Sequence, residues 1–315
     1  VVQKDCLPKT AWPPTLTSAR IAFALPMVDV LESLLRKMRP YETRKGSADQ
    51  AFEAAMDALV EGLEKGGISG AKRGFRRGIE IMKTVPYDRS RRKPEVLIVG
   101  EYLLNFHPGA NRDIEVYLEK NGFEIIEAHM TDVIQKTYFT KDSQIRDYRL
   151  NRPVKEKLWQ RLANEIFDMA HTAADRIARE HPLYTPACRL PELVKASDSI
   201  IPHTFDTGEG VLIPAEIIHH AKEGCRAFVI LQPFGCLPNH IVGRGIAKKL
   251  KEMYPDAQIL PLDYDPDVSF ANIENRLQML IMNAKAAQKQ EAQDAAARNS
   301  GTAKVKTQVA DAVSA

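Results

Sequence analysis

A chain of 315 residues with 44% hydrophobic and 27% charged content is ordinary globular protein, long enough for one or two domains and a large core. Its net charge of +3 is too small to argue for nucleic acid, and no apolar run approaches the ~20 residues of a membrane helix. The start, VVQKDCLPKT, has neither an initiator Met nor a signal-peptide core and reads as a piece of a longer chain.

Residues 1–90 carry no strand pattern and read as a helical arm, or the tail of a preceding domain. Leu31, Leu34, Leu35 and Met38 repeat at helical spacing within 22–38. Phe52, Ala55, Met56, Leu59 and Leu63 do so within 48–63, and Gly66, Gly67 and Gly70 break that helix. Phe75, Ile79 and Met82 mark a third helix, whose other face is Lys72, Arg73, Arg76 and Arg77. With Arg89, Arg91, Arg92 and Lys93 this is the one basic concentration. Such a face is usually solvated; otherwise it suits a phosphate-bearing ligand or an acidic partner. No aromatic residues interleave the charges, which argues against nucleic acid.

From Glu95 short apolar strands alternate with amphipathic helices, so residues 91–285 are expected to form an α/β domain. Strands are expected at Val96–Gly100, Phe123–Ala128, Ser199–Ile201, Ala227–Leu231 and Gln258–Leu262, all in one direction, with helices on both faces of the sheet. A helical insertion at about 132–180 interrupts them, with Leu158, Leu162, Ile166, Met169 and Ala173 as the stripe of its long helix. It reads as an insertion or a cap over the site. His171 beside that stripe reads as a polar-face residue rather than a ligand. Ser269 can cap a helix from Phe270 to Met282, and 286–315 reads as a fraying or disordered tail.

Ala227–Leu231 has the continuous apolar run of a strand buried on both faces. Pro233, Gly235 and Pro238 then form a loop, and Asn239 is placed to cap the next helix. Cys236 thus falls between the carboxyl end of a buried strand and a helix amino terminus, where ligands of open sheets bind and a thiolate is favoured. That makes it a candidate metal ligand or nucleophile; the bland alternative is a small buried hydrophobe. Cys225 opens the same strand, roughly 20 Å away, and reads as core. The four cysteines, with Cys6 and Cys188, form no CxxC and suggest a reducing, cytoplasmic setting. The Cα atoms of Glu101, Asn105, Glu209, Cys236 and Asp263 are expected to cluster at one end of the sheet.

No P-loop, HExxH, GxSxG or paired-cysteine zinc pattern occurs. Gly243 and Gly245 lie inside a helix rather than before one, so they are no dinucleotide fingerprint. Asp263, Asp265 and Asp267 have calcium-loop spacing without the Gly and Glu such a loop needs, and read as turn and capping residues.

The stretches QPFGCLPNHIVGRG, TGEGVLIPAEII and PLDYDPDVSFANIENRLQMLI, with EVLIVGEYLLNFHPGANRDIEVYLEKNGFEII, cover about residues 85 to 285. They resemble the carboxyl-terminal part of the large CoA-substrate-specific activases related to 2-hydroxyglutaryl-CoA dehydratase. The resemblance implies a flavodoxin-like or Rossmann-like fold and anaerobic redox chemistry. An ATPase activator domain or subunit would inject one low-potential electron into an iron–sulfur cluster of 4Fe–4S type or larger, which acts on an acyl-CoA substrate. Only Cys236 lies in a matching motif, so it is the implied cluster ligand. Glu101, Asn105, His107, Glu209 and Asn239 are the polar residues expected to line that cavity. ATP would bind only in domains absent from this sequence, and self-association is compatible with all of this. The second expectation is a non-catalytic scaffold or docking domain whose basic arm binds the activator or a partner subunit.

Overall fold

A computed structural model describes residues 16–205, 207–265 and 271–290. Two long helices come first: α1 (Leu16–Met38) and α2 (Ser47–Met82). The second folds back on itself at Gly67, which adopts φ 53°, a left-handed angle that glycine takes without steric cost. A side chain on Gly70 would meet the Gly62 carbonyl, and one on Gly74 the Ala58 carbonyl. The two halves therefore close as a hairpin because a small-residue stripe lets their backbones touch. The glycine break expected from sequence is thus a turn that packs.

Phe75, Ile79 and Met82 are fully buried with Met27, Leu31 and Leu34 in one helical core, which Ala170, Ala174 and Ile177 of α7 (Val154–Ala178) complete. The stripe expected on α7 is shifted. Leu158, Leu162 and Met169 are exposed, and Ala163, Phe167, Ala170 and Ala174 face inward. Small side chains let α7 approach α1 closely, and that packing overrides the more hydrophobic face. His171 is likewise a correction: it is 9% exposed rather than on a polar face.

The sheet holds β1 (Glu95–Gly100), β2 (Glu124–Glu127), β3 (Ala227–Pro233) and β4 (Gln258–Tyr264), all parallel in the order β2-β1-β3-β4. One face packs on α5 (Ile114–Lys120) and helical residues 271–290 through Ile114, Leu118, Leu277 and Ile281. The other packs on α9 (Leu212–Glu223) through Ile213, Ile217 and Ile218, and on Leu250 of α11 (Ala247–Met253). This is the α/β, flavodoxin- or Rossmann-like arrangement with helices on both faces.

The strand expected at Ser199–Ile201 does not form. That stretch follows α8 (Leu190–Lys195) as a 3-10 turn, Ala196–Ser199. The Ser197 hydroxyl donates to the Val194 and Ile201 carbonyls, and the Ile200 and Ile201 amides donate to the Ser197 carbonyl. Local bonds occupy the groups that a ladder would need.

The helical layer joins the α/β layer through charged and polar contacts. Arg36 pairs with Glu115 and with Glu127, and Arg39 with Glu119 at 2.8 Å. Arg89 reaches Glu124 at 2.6 Å and lies over the Tyr41 ring, while Lys93 donates to the Pro40 carbonyl. The basic stretch is thus divided: Arg89 and Lys93 fasten the layers, while Arg73, Arg76, Arg77, Arg91 and Arg92 are exposed. Among the described residues no helix is long and apolar enough to cross a membrane. Ser269 and Asp267 lie outside the described residues, as do residues 291–315; of the tail expected from 286, residues 286–290 continue the helix.

Candidate functional sites

Strand order reverses between β1 and β3, so the loops leaving their carboxyl ends diverge and open a crevice there. The loop after β1 begins with Glu101, whose amide donates to the Leu231 carbonyl of β3. Its carboxylate accepts from the Leu104 amide at 3.0 Å and caps α3 (Tyr102–Phe106). The loop after β3 carries Cys236, at the start of the short α10 (Leu237–Asn239). The helix therefore starts one turn earlier than expected, and Asn239 lies inside it. Its Nδ2 donates to Cys236 Sγ at 3.2 Å.

A third loop closes the crevice. Gly208 lies against Pro238, and its carbonyl accepts from Tyr102 at 3.2 Å and from buried Lys136 of α6 (Met130–Asp147) at 2.7 Å. Glu209 is thereby held beside Asn239, 5% exposed. Burial raises its carboxyl pKa, helped by the Glu101 charge, while hydrogen bonds from Asn239 and the Tyr102 backbone pull the other way.

Glu101, Glu209, Asn239 and Cys236 are thus brought together. Asn105 is buried one turn into α3. His107 is exposed, and its Nδ1 accepts from the Ala110 amide to cap α4 (Pro108–Asn111), so it serves the backbone. Asp263 accepts from Gln232 and Arg244. Of ten buried oxygens without a hydrogen-bond partner among the described residues, four belong to this edge: Asn105 Oδ1, Glu209 Oε2, Gln232 Oε1 and Asn239 Oδ1; five others lie on α6 and α7. Buried acceptors are rarely left so, and a cluster of them marks a place for a ligand. Cys225, 2% exposed at the other end of β3, is core as expected, and burial pushes its thiol up to about 12.

An iron–sulfur cluster is held by about four thiolates. This edge offers one, Cys236, half-buried and already receiving a hydrogen bond at sulfur. Among the described residues this edge therefore holds one thiol that would fit a single corner of such a group.

A second polar site was not expected from the sequence. A cavity of about 520 Å³ lies between α1, β2, α7 and α9. Asp29 of α1 accepts from the Met130 and Thr131 amides at 3.2 and 3.1 Å, so one helix caps another from 101 residues away. Burial pushes its carboxyl up to about 6, against the attraction of His129. Burial alone would lower His129, but Asp132, Asp29 and Glu216 outweigh it and carry the imidazole up to about 9. His171 opens on the same cavity, and burial lowers its pKa to about 4. Cys188 also lines it, its thiol pushed by burial up to about 11. The adjacent pair His219–His220 was the only local signal, and alone it is weak.

No family model matches the chain, and neither a curated protein nor a solved structure matches it significantly.

Proposed function

We propose that the carboxyl-edge crevice is one face of an iron–sulfur redox centre of the 2-hydroxyacyl-CoA dehydratase or activase kind, completed by another domain or subunit. Four buried oxygens without partners, gathered near a half-buried thiol at the sheet's switch point, carry this reading. Cys236 would hold one iron, and the Asn239 amide would withdraw charge from its sulfur, a hydrogen bond of the kind that tunes potential. A bound cluster would supply one low-potential electron to a 2-hydroxyacyl thioester; the hydroxyl would leave with a proton as water, the neighbouring carbon would lose its proton to a base, and the electron would then return, leaving an enoyl thioester. Glu209, whose carboxyl pKa burial raises and whose Oε2 has no partner, would be the residue to pass a proton to that departing hydroxyl. The ATP-driven activator is then the partner that delivers the electron.

The second reading, a docking domain, is favoured by the exposed apolar rim: Phe234 at 72%, Leu237 at 66% and Leu103 at 60%. The two part on iron and sulfide content of full-length protein prepared without oxygen. Cys236→Ser is expected to lose iron with an unchanged circular dichroism spectrum, and Cys225→Ser to keep it. Full iron occupancy in a folded Cys236→Ser protein leaves the docking reading standing.

A further inference from the structure

The last turn of α9 places three metal-ligating side chains together at the cavity. His219 Nε2 lies 3.6 Å from Glu223 Oε1, and His220 Nδ1 lies 3.4 Å from Glu223 Oε2. All three donors fall within 4.8 Å of one another. Tetrahedral ligands about 2.1 Å from an ion are roughly 3.4 Å apart, so Glu223, more than half exposed, needs only a rotamer change.

Two independent features favour an ion over a simple surface ion pair. The first is Glu216, 5% exposed and 3.5 Å from His220 Nε2. A carboxylate on the far nitrogen of an imidazole fixes the tautomer that leaves Nδ1 free for metal, as in the outer shell of metal sites. The second is that His219, His220, Glu223 and Glu216 all line the cavity of about 520 Å³, which leaves room for an ion and its solvent. The carbonyl end of a 12-residue helix adds a field that favours a cation.

We infer that His219, His220 and Glu223 hold a divalent transition-metal ion of the zinc class, with Glu216 as the positioning residue and an open coordination position on the cavity. Two imidazoles and one carboxylate are the donor set of three-ligand sites that keep a position for solvent or substrate. This ion is separate from any iron at Cys236, which lies at the opposite end of β3 from the turn after Glu223.

The test uses the 315-residue chain, stripped with chelator and titrated with zinc chloride by calorimetry. The wild-type protein is expected to bind one equivalent. His219→Ala and Glu223→Gln are expected to weaken binding at least tenfold, and Glu216→Gln roughly tenfold. Cys236→Ser is expected to bind zinc as the wild type does. His219 and Glu223 are 25% and 58% exposed, so both variants should keep the wild-type circular dichroism spectrum. If His219→Ala fails to fold, Glu223→Gln carries the test. A folded wild-type protein that binds no zinc, or triad variants that bind it unchanged, overturns the inference. Unchanged binding by Glu216→Gln removes the positioning role.

Discussion

The carboxyl-edge crevice and the cavity beside β2 are both polar, yet they are built differently. The crevice is made by loops that each follow a strand or precede a helix, so its place follows from the order of the elements. The cavity is made where a helical layer meets an α/β layer, from residues as far apart as Asp29 and Glu223. In the crevice four buried oxygens lack partners. In the cavity most charges answer one another: Asp29 with the α6 amides, His129 with Asp132, and His220 with Glu216. Missing partners mark the crevice for a ligand, whereas in the cavity Asp29 and His129 serve assembly and the His220–Glu216 pair positions a ligating imidazole.

That contrast breaks most visibly at Arg36. Its guanidinium serves Glu115, Glu127 and Glu32 at the layer boundary, and the Glu127 side chain is 2% exposed. Arg36→Met leaves a buried carboxylate uncompensated and is expected to destabilise the protein by about 3–5 kcal/mol in urea titrations. An unchanged midpoint would mean that the two layers do not depend on this pair.

A smaller effect is expected at Asp29. Replacement by Ala leaves the Met130 and Thr131 amides uncapped, at a cost of about 1–2 kcal/mol. Asn keeps one acceptor oxygen and is expected to lose less. Equal losses for Ala and Asn in the same titration would remove the capping account.

The third effect is a slope, spread over more than two pH units rather than lost at once. His129 has a folded pKa of about 9, above the ordinary imidazole value, so the folded state binds its proton more tightly. The stability this contributes is full below about pH 6.5 and is lost as pH rises through 9. It comes from Asp132 on α6, Asp29 on α1 and Glu216 on α9, with burial opposing; His171 on α7, lowered to about 4, is neutral over this range. The denaturation midpoint should fall between pH 6.5 and 9, and His129→Gln should flatten that fall without abolishing it, because His220 titrates in the same direction. An unchanged slope in His129→Gln would place the proton elsewhere.

Four of the expected strands were legible because their apolar runs are bounded by breakers, and the Cys236 loop followed from them. Ser199–Ile201 misled because two adjacent isoleucines say nothing of the Ser197 hydroxyl, which closes a turn instead. On α7 the larger residues Leu158 and Leu162 drew the reading, while alanines made the close contact with α1. His107 read as a site residue, yet its ring caps a four-residue helix. The cavity had no sequence signature because helix-to-helix distance is set by packing, not spacing.

The measurement that bears most directly on two separate sites is a paired iron and zinc assay. It uses full-length protein prepared without oxygen, then equilibrated with zinc, as Cys236→Ser and as His219→Ala. The expected result is crossed: Cys236→Ser loses iron and keeps zinc, and His219→Ala loses zinc and keeps iron. A folded variant of either kind that lost both metals, or neither, would contradict it.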